Sequence, residues 1–444
     1  MKRCRRRRTE SRGARGFTLV ELMVALTGGL LISVFVFMMA SQGSKFYQQE
    51  ARISNATIGV MNGFQRLRTD IARAGFLASP SVVHDSVVCS GKGAADGWIP
   101  AVKSLREMAG VRLNVGGSRT EAGDALGTFW DTNKLKPDEL ILAGAFGSTD
   151  QFPAAEISQP NPSGQPNVWR VYLQPNSPAM ARLGYRTNGT QLPAAQEELV
   201  TAAFKPDTAD RVLRILDKKG SHHYGVIDSV GLATAPGTGQ PAPYIELNGD
   251  VILRAESRNS KCGLQGLNVG ATVNVVNFIR YGLKQLNNAE VYPEFKALYA
   301  DEVKDTHEET RAELVREELD VAGIFIPGTT ELVAEYAVDL KFSLSALEAG
   351  ELLEIPEDSD ELANYAGDPL VIGRPDRIRS VHARLAVRSR EADRDFKLDP
   401  TLAGVPPAGL YRVGFGADGT GPFARVRTLQ ADIALRNHMR ANWP

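Results

Sequence analysis

Hydrophobic and polar positions follow two different patterns along the first 76 residues. From Phe17 to Ala40 the chain is predominantly apolar, and these 24 residues suffice for a helix to cross the hydrocarbon core of a bilayer. One charge, Glu21, lies in the first turn of that run. A carboxylate there costs about 2.5–3.5 kcal/mol on insertion, so it needs a partner or a purpose. From Lys45 to Ala74 the pattern becomes a stripe. Ile53, Val60, Phe64, Leu67, Ile71 and Ala74 recur at helical spacing, with Gln48, Glu50, Arg52, Gln65, Arg66, Arg68 and Arg73 on the other side. This predicts a helix that lays one face on a β-sheet and stops at Gly75. A coiled-coil dimer is the alternative, on three weak heptads. Gly28, Gly29, Gly43, Gly59 and Gly63 each lower helix propensity by about 1 kcal/mol and mark either bends or close helix contacts.

Beyond Leu77 the period changes to two. Val338, Leu340 and Phe342 alternate with Asp339, Lys341 and Ser343; Val381, Ala383, Leu385 and Val387 alternate with polar neighbours; so do Leu429, Ala431, Ile433 and Leu435. Thr272–Tyr281 is a near-continuous β-rich run, suited to a central strand. Gln151–Pro193 holds seven prolines and Ala233–Pro243 reads ATAPGTGQPAP, so the region 147–245 is expected to be loop-rich, between two β lobes or inserted in one. Lys296–Val321 is heavily charged and rich in helix formers, and reads as an exposed helix decorating the sheet.

Three readings compete for the N-terminus. A secretory signal would have a shorter apolar core and a better cleavage site than Met39-Ala40-Ser41. A plain anchor explains the length and the eight basic residues between Lys2 and Arg15, but not Glu21. The third rests on Gly16-Phe17-Thr18-Leu19-Val20-Glu21, which resembles the cleavage and assembly motif of type IV prepilins. That resemblance implies cutting between Gly16 and Phe17 by a prepilin peptidase and methylation of the new Phe17 amine. It also implies pairing of Glu21 with a neighbouring subunit's amine as subunits leave the lipid. Phe64-Gln-Arg-Leu-Arg-Thr-Asp-Ile-Ala-Arg-Ala-Gly-Phe76 is similar to a stretch of PilW-type minor pilins, matching at Asp70, Ile71, Gly75 and Phe76. The segments Glu331–Phe342, Arg377–Ser389 and Thr428–Asn437 resemble that family's closing strands, including the final Ala-Leu-Arg-Asn. No resemblance covers Leu77 to Asn268.

The expected architecture is α+β: a long N-terminal pilin helix, half transmembrane and half amphipathic, packed on a large antiparallel β-rich head. The divisions are a leader 1–16, a membrane span 17–40, an amphipathic continuation 41–76 and a head 77–444. The leader holds eight of the 51 Lys and Arg and one of the 52 Asp and Glu. Its removal leaves 43 basic against 51 acidic residues, a net charge of −8 that argues against general nucleic-acid binding. Basic residues before the span and acidic bulk after it orient the N-terminus to the cytoplasm and the head to the periplasm. Cys4 leaves with the leader. Cys89 and Cys262 remain in a compartment where disulfides persist; joined, they would close a loop of about 170 residues worth about 4–5 kcal/mol. Two separately buried thiols are the alternative.

Other candidate chemistry is weak. Gly414-Phe-Gly-Ala-Asp-Gly419 fits a dinucleotide fingerprint, but Thr-Gly-Pro-Phe follows and cannot open the required helix. His222 and His223 read as an exposed loop. The acidic run Glu354–Asp368 lacks the order of a calcium loop. Asn188-Gly-Thr190 is a glycosylation sequon by pattern only. No cofactor, metal or catalytic site is expected. The resemblance implies a minor pilin that helps prime pilus assembly, with the tip as a candidate position and with other minor and major pilins, the prepilin peptidase and the inner-membrane assembly platform as partners. A type II secretion pseudopilin or a tip adhesin are the alternatives.

Overall fold

The computed structural model describes residues 18–85, 87–88, 109–118, 124–158, 168–187, 193–206, 209–218, 220–247, 270–299, 310–369, 371–392, 409–414 and 422–439, leaving aside the side chains of 45–56, 59, 193 and 298–299. An N-terminal apolar helix is followed by a large antiparallel β-rich head. The chain divides into two units, Met1–Asn55 and Ala56–Pro444.

In the first unit, helix α1 (Leu19–Arg73) begins one residue after Thr18. Its stretch Leu19–Ser44 has a mean hydropathy of 2.4, is long and apolar enough to cross a membrane, and is not buried. A Cβ at Gly28, Gly29 or Gly43 would meet nothing within 4 Å.

In the second unit the last turns of α1 bury the described part of the predicted stripe, Val60, Phe64, Leu67 and Ile71, with Ala74 just beyond; the Ile53 side chain lies outside the described ones. Arg66, Arg68 and Gln65 are exposed on the other side. Gly63 is a close-contact glycine, since a Cβ there would come within 2.5 Å of the Val333 carbonyl. The helix stops where expected, because Gly75 takes φ 71°, a conformation that costs side-chain-bearing residues.

Two sheets share the core with the helix. The larger has ten strands: β1 (Val111–Asn114), β2 (Glu139–Gly144), β3 (Phe152–Ser158), β4 (Trp169–Leu173), β5 (Arg211–Leu216), β6 (His222–Thr234), β7 (Pro241–Leu247), β8 (Thr272–Lys284), β9 (Glu313–Leu319) and β10 (Glu331–Ala334). Every ladder is antiparallel. β8 is the central strand predicted for this segment. Its first half pairs with β3 on one edge and β5 on the other, and its second half with β2 and β9. The path β8–β3–β4–β7–β6–β5 therefore returns to β8, a closed ring of six strands. Phe152, Trp169, Leu173, Leu213, Ile245 and Val273 pack in its core. Two helices join them, through Met180 of α3 (Pro178–Leu183) and Val200 and Phe204 of α4 (Pro193–Phe204). The helix α2 (Asp124–Thr132) precedes β2.

The second sheet has the order β12–β11–β13–β15–β14, from β11 (Ala337–Glu348), β12 (Glu351–Ile355), β13 (Ile378–Arg388), β14 (Leu410–Arg412) and β15 (Phe423–Ala434). Its central strands are those predicted from alternation. Leu340, Phe342, Val381, Leu385 and Ile433 enter the same core as Leu67 and Ile71 of α1.

Three expectations are corrected. The described residues of 147–245 are mostly in regular structure, carrying β3–β7, α3 and α4; the run ATAPGTGQPAP is the end of one hairpin, with Ala235 N–H donating to Gln240 and its carbonyl accepting from Gly239. Among the described residues of Lys296–Val321 the structure has the end of a short 3₁₀ turn, Pro293–Tyr299, and the buried strand β9 where an exposed helix was expected; residues 300–309 lie outside the described ones. The charges of β9 find fixed partners: Glu313 with Arg311, Arg316 with Asp70, Glu317 with Arg280 and Lys284, and Glu318 with Arg211. Tertiary pairing thus overrides helix propensity. His222 and His223 are buried in β6, not exposed: His222 lies 3.1 Å from Arg214, and His223 Nε2 lies 3.2 Å from the Asp217 carboxylate. Burial holds the His223 pKa below its ordinary value, with Asp217 pulling it back up.

Candidate functional site

The first turn of α1 carries the lone acidic residue of the apolar segment, and the local sequence determines how it sits. Thr18 caps the helix. Its backbone N–H and its hydroxyl both donate to Glu21 Oε2, at 3.0 and 2.9 Å, while Glu21 N–H donates to Thr18 Oγ1 at 3.2 Å. This is a capping box, in which two otherwise orphaned groups of the helix start satisfy each other. The negative charge also lies at the positive end of the helix dipole. The Thr-x-x-Glu spacing of Thr18-Leu-Val-Glu21 is the signal by which Thr18 can be recognised beside Glu21. The cleavage pair Gly16 and Phe17 lies outside the described residues.

At the other end of the helix, the second unit anchors α1 through one buried carboxylate. Asp70 Oδ2 accepts from the Tyr281 hydroxyl and from Arg316 Nε, both at 2.8 Å. Arg66 lies 3.9 Å from the same oxygen and reaches Glu331 at 3.1 Å. Burial first, and then the neighbouring Asp70 charge, raise the Tyr281 pKa, so this hydroxyl stays a donor. The helix exit is tied as closely. Arg73 donates to the Ala145 carbonyl at 2.7 Å, and its guanidinium lies over the rings of Phe76 and Phe146. Gly75 N–H donates to Ala143 at 2.8 Å, and Asn437 Nδ2 donates to the Ala74 carbonyl at 3.0 Å. The strand-side partners Tyr281 and Arg316 had no signal in the sequence, because their charge and hydroxyl patterns point to no particular helix.

The remaining sequence candidates are dispersed. Cys89 and Cys262 lie outside the described residues, as do Asn188–Thr190 and all of the glycine-rich run after Gly414. In the acidic run, Glu354 accepts from Ser345, Glu357 pairs with Arg384 and Asp358 with Lys341. Among the described residues no group of three or more His, Cys, Asp or Glu side chains is placed to hold a metal ion.

Residues 11–27 match the model of the prokaryotic N-terminal methylation motif, a span that encloses Gly16, Phe17, Thr18 and Glu21. With the apolar helix behind it, this supports a type IV pilin-like or pseudopilin protein. The motif implies processing by a prepilin peptidase and assembly with other pilins in general, and the helix suggests membrane anchoring. No curated protein and no solved structure matches the chain.

Proposed function

We propose that the chain is a PilW-type minor pilin that helps prime assembly of a type IV pilus, acting by association and not by turnover. The observation that carries this is the methylation motif over residues 11–27, with Glu21 as the lone charge of the span that follows. In this reading the peptidase cuts between Gly16 and Phe17, the Phe17 amine is methylated, and α1 stays in the inner membrane with the head in the periplasm. Before assembly, Thr18 satisfies the Glu21 carboxylate. On assembly, Glu21 turns to a neighbour's Phe17 amine, a pair whose attraction grows as water is excluded, although desolvation offsets part of the gain. The stretch Asp70–Phe76 supports the PilW-type reading. Asp70 anchors the helix, Gly75 ends it, and Asn437 of the closing Ala-Leu-Arg-Asn caps its end.

Glu21→Ala should leave the protein processed and membrane-bound but depleted from sheared pili, measured by immunoblot of pilus and membrane fractions. Undiminished incorporation would remove Glu21 from the mechanism. A deletion strain separates the machines: loss of twitching fits a minor pilin, whereas loss of secreted enzymes with twitching intact fits a pseudopilin.

A further inference from the structure

The five-stranded sheet ends in β12, and this strand is guarded differently from the edges at β14 and β10. Six strands of the larger sheet close on each other, which removes their edges. At β14, Asn133 follows α2 and takes both backbone groups of Arg412: its Nδ2 donates to the carbonyl at 3.1 Å, and its Oδ1 accepts the N–H at 2.9 Å. At β10 the Val333 carbonyl lies against Gly63 of α1. Among the described residues, the backbone of β12 is paired with β11 alone.

The hairpin register shows what this edge offers. β11 and β12 join through Ala349 and Gly350, both at positive φ (50° and 89°), a two-residue turn. Such a turn makes Glu348 and Glu351 the bonded pair beside it. Alternation then turns the N–H and C=O groups of Leu352 and Glu354 away from β11, onto the open edge. The side chains are equally uncovered: Leu352 is 58% and Leu353 41% exposed, between exposed Glu351 and Glu354. Val371, 74% exposed, and Ile372 lie on a loop held to the same hairpin, since Tyr365 and Arg377 on either side of it both bond Glu348.

We propose that β12 is a docking edge, completed by an extended segment of a different subunit that sets Lys or Arg opposite Glu354 and an apolar side chain opposite Leu352. Backbone bonds to Leu352 and Glu354 supply the attachment, and side chains on the two faces supply the choice of partner. Charge selects against a second copy. Antiparallel pairing sets outward residues against outward residues, so in each register open to a second copy Glu351 or Glu354 meets its own counterpart on one face, diagonally or directly opposite, and like charges so placed are destabilising. A basic strand reverses that term while covering Leu352 and Leu353. The inference rests on reading the chain as a subunit of a pilin-like assembly.

The test uses the full chain in its native membrane with a benzophenone side chain at position 352, and separately at position 24 in the apolar helix. After illumination, the expected product at 352 is an adduct whose mapped peptide is an extended Lys- or Arg-bearing segment of another pilin-like subunit. Glu354→Pro removes an outward donor without touching the β11 ladder, and Glu354→Lys reverses the charge while keeping the backbone intact. Each should cut the adduct about tenfold, the effect of about one net hydrogen bond. The docking edge is overturned by an adduct with lipid, with a second copy or with any other class of molecule. A yield unchanged in both variants overturns it too. So does the absence of an adduct at 352 while position 24 captures a neighbouring helix, a result that leaves the pilin-like reading standing. Failure at both positions overturns both.

Discussion

Asp70 lies on the buried face of α1 with the Tyr281 hydroxyl and Arg316 converging on one of its oxygens. Truncating it to Ala would leave the buried Tyr281 hydroxyl without its acceptor and the Arg316 guanidinium with only the 3.4 Å contact to Glu331, whereas Tyr281→Phe removes a single neutral donor. Asp70→Ala is therefore expected to cost about 3–5 kcal/mol and Tyr281→Phe about 1 kcal/mol, read from denaturant midpoints of the detergent-solubilised chain. Equal losses would show that the carboxylate is not the anchor. Asp70 was visible in the sequence only as one letter of a family stretch. Its partners lie 211 and 246 residues away, and periodicity assigns a residue to a face without naming what meets it. The same limit hid β9. Glu313, Arg316, Glu317 and Glu318 resemble the surface of a helix until the partner of each charge is known. His222 and His223 were misread because a pair of histidines gives no sign of Arg214 and Asp217 beside them.

The C-terminal turn, Arg436–His438, is a small element that closes the helix exit. Leu435 N–H donates to Arg379, Asn437 caps α1, and the His438 ring packs on Gly75, where a Cβ would lie 3.2 Å from it. His438 Nδ1 faces the Pro375 carbonyl at 3.1 Å, and burial drives its pKa down to about 4, with Arg379 lowering it further and Asp376 opposing. In the unfolded chain the ring titrates near 6.5. Between pH 6.5 and 4 the unfolded chain thus binds a proton that the folded chain does not, so stability falls as pH drops through that window. His438→Gln removes this loss. The gap in unfolding free energy between wild type and variant should shrink by about 2–3 kcal/mol from pH 7 to pH 4. A gap independent of pH would place the ring in water. Among the elements, β11, β13, β15 and the α1 stripe were legible from their hydrophobic period, and β8 from its near-continuous β-rich run. The turn was legible only as a resemblance, since three residues carry no period.

For the molecule as a whole, five of the six strands of the closed ring came from the region whose prolines and glycines suggested loops. Those residues punctuate: β6 and β7 are joined over a few residues, with Ala235 bonded to Gln240. Closure itself left no trace in the sequence, because it depends on the first half of β8 pairing with both β3 and β5. The helix and its start, by contrast, depend on local pattern alone, and the function proposed depends on how that start is processed. The most direct test is mass spectrometry of the mature chain isolated from its own cells. The account predicts an N-terminus at Phe17 bearing an added methyl group. A chain that retains Met1, or one that begins beyond Ala40, would contradict it.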